Sequence, residues 1–299
     1  MDKNYWDLTD RPHTERKLKI LKEYLYPWAE IIFNQWREHG WKNFKTAYYI
    51  DCFAGRGRYH KNSILNSIDG SPLIALNCAK FFQKKFKDKV GLKCIFVDAR
   101  ESYITELQKF CQPYKRVVGF SIRHADINEE INSILKEIGS NAALFFVDPW
   151  GLKEISQETM TAIIQKKGPV DLILNYICGT KRVLGKIAGM AQAGKIDDQF
   201  IKLTDSVGFF HGDLVFNCFD KKDREILKAW EQEMFKDTRL EFKSVYKMLH
   251  SSRSEAVYYL FFASRKPVAK KIIDYILKKE DSETFSGQLS LIPRDNFDI

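Results

Sequence analysis

Tyr49-Ile50-Asp51-Cys52-Phe53-Ala54-Gly55-Arg56-Gly57-Arg58-Tyr59 is the stretch whose reading decides the fold. An apolar, aromatic and β-branched run, Ala47 to Phe53, carries a carboxylate near its end, and two glycines follow at once. This is a strand running into a tight loop, because glycine lets the backbone take φ > 0 and approach a ligand closely. A loop that cradles a pyrophosphate would carry a third glycine and run directly into a helix. Here the third glycine is missing. The next helix is predicted only at Gly70-Ser71-Pro72, with Ser71 as N-cap and Pro72 at the first helical position.

Downstream, short apolar runs alternate with helical patterns. The runs are Leu92 to Asp98, Val117 to Arg123, Ala142 to Asp148 and Val170 to Asn175; the helices fall near Pro72 to Phe86, Tyr103 to Cys111, Asn128 to Ile138 and Gln157 to Lys166. Strands apolar on both faces, each followed by a helix, predict a doubly wound parallel sheet. Upstream, Leu18, Leu21, Leu25, Trp28 and Ile32 stand at helical spacing, which predicts one amphipathic helix or a pair broken at Pro27. Residues Gly179 to Asp220 lack a clear period and read as an inserted helical or loop region over the active edge of the sheet. A charged helix from about Lys221 to Phe235 and two strands, Phe242 to Leu249 and Ala256 to Ala263, complete the order, the strands joined by His250 to Glu255 as a hairpin. The organisation is an N-terminal helical segment (1–45), an α/β Rossmann-like domain (46–279) with an insertion at about 179–220, and a polar tail (280–299).

Composition narrows the class. The chain has 299 residues, ample for a core, with 44% hydrophobic and 29% charged residues, which excludes a disordered or fibrous protein. It has no apolar run long enough to span a membrane and no apolar stretch in Met1 to Arg11 of the kind a secretory signal needs, so a cytoplasmic location is expected. The net charge of +9 suits an anionic partner, and equally suits solubility. Cys52, Cys78, Cys94, Cys111, Cys178 and Cys218 show no Cys-x-x-Cys spacing, so they read as reduced core thiols with no metal site.

Ligands of open parallel sheets bind beyond the carboxyl ends of the strands, where strand order reverses. The first four strands carry Asp51, Asp98, Asp126 and Asp148 at or just past those ends. One acidic residue there is usually a helix cap; four in register point to a nucleoside cofactor. Asp98 is placed to accept hydrogen bonds from ribose hydroxyls and Asp126 to reach an adenine amino group, with Phe53, Ala54, Gly55 and Gly57 forming the loop. S-adenosylmethionine has no phosphate and fits this loop better than NAD. Five parallel strands, a helix and a hairpin are also the order of a class I methyltransferase sheet, with about seven strands, one of them antiparallel.

The string from Tyr49 to Tyr59, the Gly70-Ser71-Pro72 helix start, Asp148-Pro149-Trp150-Gly151 and His13-Thr14-x-x-Lys17 together resemble the three-Cys-motif partner family, from Pro12 to about Ala263. The resemblance implies a methyltransferase-like fold and a partner protein with three clustered cysteines that resembles radical S-adenosylmethionine enzymes. The glycine loop is also similar to large-subunit ribosomal RNA adenine-N6 methyltransferases, which implies that Thr14 and Lys17 approach the methionine end of the cofactor.

Asp148-Pro149-Trp150 resembles the Asp-Pro-Pro-aromatic motif of amino-group methyltransferases. An exocyclic amine is a poor nucleophile because its lone pair is delocalised into the ring. A carboxylate and a proline carbonyl that accept its N–H bonds favour a pyramidal nitrogen, while the aromatic ring stacks on a flipped-out base. The second proline is absent and Gly151 follows, nearer to the Asp-Pro-Phe-Gly of guanosine-N2 transfer RNA methyltransferases, so the target base stays open. Asn175 orients substrate or caps a loop. Lys181, Arg182, Lys186 and Lys195 track phosphates or are simply solvated. His124 reads as structural. The expectation is an S-adenosylmethionine-dependent methyltransferase acting on a base amine of RNA or DNA; the alternatives are a methyltransferase-like scaffold assembling with the three-cysteine protein, and a methyltransferase for a small molecule or protein side chain.

Overall fold

The computed structural model describes residues 12–284 apart from 62, 178, 237 and 250–255. The elements run α1 (Pro12–His39), β1 (Thr46–Asp51), β2 (Arg58–Lys61), β3 (Ser63–Asp69), α2 (Ser71–Lys85), β4 (Gly91–Asp98), α3 (Glu101–Cys111), β5 (Phe120–His124), α4 (Ile127–Ile138), β6 (Ala142–Val147), α5 (Gln157–Ile164), β7 (Val170–Ile177), α6 (Thr180–Gln192), α7 (Asp198–His211), α8 (Asp223–Met234), β8 (Phe242–Leu249), β9 (Ala256–Ser264) and α9 (Pro267–Thr284).

Seven strands form one sheet in the order β5-β4-β1-β6-β7-β9-β8. β9 runs antiparallel to both of its neighbours, and the other pairings are parallel. The chain steps outward from β1 to β4 and β5, then returns to lay β6 on the other side of β1. This reversal opens a crevice at the carboxyl ends of β1 and β6. The expected doubly wound, Rossmann-like fold is what the chain adopts.

The period of two in β1 feeds both faces. Ala47 and Tyr49 join a core with α1, α2 and α9, whereas Tyr48 and Ile50 join a second core with α4, α5 and α8. Each fully buried large side chain there contributes about 1.5–3 kcal/mol of transfer free energy. The insertion packs a small separate core against α8, with Leu184, Ile187, Val207 and Ile226.

Several local expectations change. α1 is one continuous helix through Pro27, and its stripe from Leu18 to Ile32 is buried. The glycine loop leads into an additional antiparallel pair, β2–β3. Its insertion is why α2 starts late. Gly70 holds the cap position of α2 in place of Ser71, and Pro72 sits in the first helical turn. The Ser71 hydroxyl instead hydrogen-bonds the buried Asp51 carboxyl, a charge-assisted acceptor. α9 continues to Thr284, past the predicted start of the polar tail, with Glu280 buried and paired to Lys19. The expected hairpin connection, His250 to Glu255, lies outside the described residues, as do Cys178 and the segments 1–11 and 285–299. Among the described residues, no helix is long and apolar enough to cross a membrane.

Candidate active site

The loop after β1 is held by the ends of its neighbours. Cys52 and Ala54 donate their N–H groups to the carbonyls of Phe146 and Val97, both at about 3 Å. Gly55, at φ +62°, donates to Asp98 Oδ2 at 2.9 Å. Gly57, at φ +84°, takes a left-handed backbone conformation that a side chain would strain. Gly70 N–H donates to Gly57 O at 2.9 Å and pins the start of α2 beside the loop.

Asp51 is fully buried and accepts from Tyr49 Oη at 3.2 Å and Phe53 N at 3.4 Å. Burial pushes its carboxyl up to about 7; the Asp148 charge adds to the rise, and the Ser71 hydroxyl offsets part of it. Asp51 thus feels the charge of Asp148 from the end of the adjacent strand.

Asp148, just beyond β6, is clasped from two sides. Lys17 of α1 makes an ion pair with its Oδ2, and Asn175 of β7 donates Nδ2–H to its Oδ1 at 2.8 Å. The Lys17 ammonium also lies 5.6 Å from the ring centre of Tyr258, whose hydroxyl donates to His13 O at 3.2 Å and so ties β9 to the start of α1. Asn175 Oδ1 is buried and has no hydrogen-bond partner among the described residues. Trp150, two residues on, is 40% exposed. Its backbone N–H donates to Glu154 Oε2 at 2.5 Å, and the Arg100 guanidinium lies 5.3 Å from its ring centre.

No family model and no curated protein matches the chain. Similar solved structures include the protein LPL1258 from Legionella pneumophila (12% identity over 88% of this chain and 91% of that one, TM-score 0.49). The DszA carbon methyltransferase is similar at 11% identity over 82% of this chain and 54% of that one, TM-score 0.41. The bifunctional kinase-methyltransferase WbdD is similar at 11% identity over 84% and 39%, TM-score 0.39. These likenesses carry no chemistry over to this chain, and the family resemblance in the sequence has no counterpart among them.

The expected site residues therefore divide. Asp51, Phe53, Ala54, Gly55 and Asp98 gather around one loop; Lys17, Asp148 and Asn175 meet, buried or nearly so, at the adjoining strand end, with Pro149 buried next to Asp148 and Thr14 buried one turn before Lys17 on α1. Asp126 is exposed and caps α4, accepting from Asn128 N and Nδ2 at 2.8 Å. Lys181, Arg182 and Lys186 are exposed on α6, and Lys195 is exposed just beyond it. His124 is exposed too, with Nε2 3.1 Å from Ala99 O, in keeping with a structural role. Arg100 and Tyr258 went unnoticed. Arg100 had a signal, its place two residues past a strand-end carboxylate; Tyr258, on a returning strand, had none.

S-adenosylmethionine suits this donor set. Asp98 is buried at the loop, and its Oδ2 keeps a lone pair beyond the Gly55 bond for a ribose hydroxyl, while the loop glycines present no side chain. Among the described residues there is no cluster of His, Cys, Asp and Glu able to hold a metal ion.

Proposed function

We propose that this protein is an S-adenosylmethionine-dependent methyltransferase acting on an exocyclic amine of a nucleic-acid base. The observation that carries the proposal is the buried, unpartnered Asn175 Oδ1 beside Asp148. A buried acceptor left unmade costs about 1–3 kcal/mol, so it suits a ligand that brings an N–H. Asp148 and Asn175 together offer acceptors for the two N–H bonds of a primary amine. Holding both turns the nitrogen lone pair out of conjugation with the ring. Lys17 pairs with Asp148 in its largely buried setting, and with Asn175 it fixes the orientation of the carboxylate while the amine binds.

Around this clasp, Asp98 and the Gly55 loop would hold the cofactor's ribose, and Asp51 would face its cationic end. When bound, the cofactor supplies a methyl group activated by its sulfonium. Trp150, exposed at the rim, offers a stacking face to the base.

The test is mass spectrometry of bulk RNA and DNA from cells with and without the protein, with purified protein and labelled S-adenosylmethionine in parallel. An N-methylated base that depends on the protein is expected. Label found only on a protein or small molecule would overturn the nucleic-acid assignment.

A further inference from the structure

We propose that Arg100 couples the two halves of this site: it gives up Asp98 to the cofactor's ribose and then holds, beside Trp150, the phosphate next to the stacked base. The inference deepens the methyltransferase reading and rests on it. It begins with the lone pairs of Asp98. A carboxylate offers about four acceptor positions. Oδ1 accepts from both Arg100 N at 2.9 Å and Arg100 Nε at 3.3 Å, which fills it; Oδ2 accepts from Gly55 N at 2.9 Å. One position remains, whereas a ribose diol brings two hydroxyls. The two backbone bonds are fixed by the strand end and the loop. The Nε bond is the longest of the three, and the Arg100 side chain is 40% exposed, so this is the bond that yields.

Arg100 is also held by its faces. Its guanidinium lies 4.1 Å from the ring centre of Tyr103 and 5.3 Å from that of Trp150. Stacking of this kind keeps a guanidinium in place when an edge bond is lost. The freed N–H edge is a planar fork that matches a phosphate. Because Trp150 is the ring on which the base would stack, the phosphate within Arg100's reach is one adjoining that base. Cofactor and nucleic acid then favour each other's binding by the same factor.

The test uses S-adenosylhomocysteine and a mixed-sequence single-stranded RNA, with calorimetry and fluorescence anisotropy as readouts. In the unmodified protein, S-adenosylhomocysteine should tighten RNA binding about fivefold or more. In Arg100→Ala, RNA should bind more weakly and the tightening should vanish. S-adenosylhomocysteine alone should bind as well as before, or up to about tenfold better because the competing Nε bond is gone. Arg100→Lys, which keeps the charge, should recover part of the RNA affinity. An undiminished tightening in Arg100→Ala, or cofactor-product binding that weakens in that variant, overturns the coupling and leaves the methyltransferase reading standing. Failure of the unmodified protein to bind S-adenosylhomocysteine overturns both.

Discussion

Lys17 in the first helix is ion-paired with Asp148, which lies 131 residues later at the end of a central strand. Both side chains are largely withdrawn from water, at 7% and 17% exposure. The pair joins the N-terminal helix to the proposed chemical centre, so that helix is part of the site and not an appendage.

Removing one partner should therefore be costly. Lys17→Ala leaves the Asp148 carboxylate without its counter-charge, and a loss of about 3 kcal/mol in unfolding free energy is expected. The Lys17→Met, Asp148→Leu double variant, with no stranded charge, should recover much of that loss. Urea titrations of Lys17→Met, Asp148→Leu and the double variant check this, and a double-variant loss equal to the sum of the two single losses would mean that the pair carries no coupling.

Asp51 sets a pH dependence. Burial raises its carboxyl to about 7, so the folded protein keeps this proton over a range in which the unfolded chain has lost it. Stability should fall as pH rises from about 4 to about 7. Asp171, raised to about 6 mainly by burial, contributes in the same direction over the lower part of that window. Asp51→Asn should flatten the curve. Cationic S-adenosylmethionine should also bind more tightly above pH 7 than at pH 6, by a larger factor than uncharged-sulfur S-adenosylhomocysteine. Equal pH profiles for the two ligands would remove Asp51 from the cationic end of the pocket.

Asp148 and Trp150 should separate by the step that each affects. Asp148→Asn keeps the size of the side chain and should lower transfer by orders of magnitude, with cofactor affinity near that of the unmodified protein. Trp150→Ala should weaken acceptor binding by about 1–3 kcal/mol. Full cellular complementation by folded Asp148→Asn would instead favour a scaffold that assembles with a three-cysteine partner.

The exposed α6 cations give a salt test. If Lys181, Arg182 and Lys186 contact phosphates, reversing all three to glutamate should flatten the dependence of log affinity on log salt by about 2 for a single strand. An unchanged slope would assign these residues to solvation and leave Arg100 as the nearer phosphate contact.

The sequence by itself determined the sheet and the carboxylates at its strand ends. Strand runs, helix periods and glycine turns are local, so Asp51, Asp98 and Asp148 could be placed at carboxyl ends before any contact was known. The same locality misled at Ser71, which reads as a cap but serves Asp51. Only the tertiary structure decided which groups meet. The clasp of Lys17 and Asn175 on Asp148, the passage of Arg100 from Asp98 to Trp150 and the return of Tyr258 beneath Lys17 all depend on β6 lying beside β1 and on α1 and β9 packing around them. Those are contacts between distant segments. Their partners are selected by burial, which leaves a charge or an N–H no alternative to the one group within reach, and no spacing along the chain records that choice.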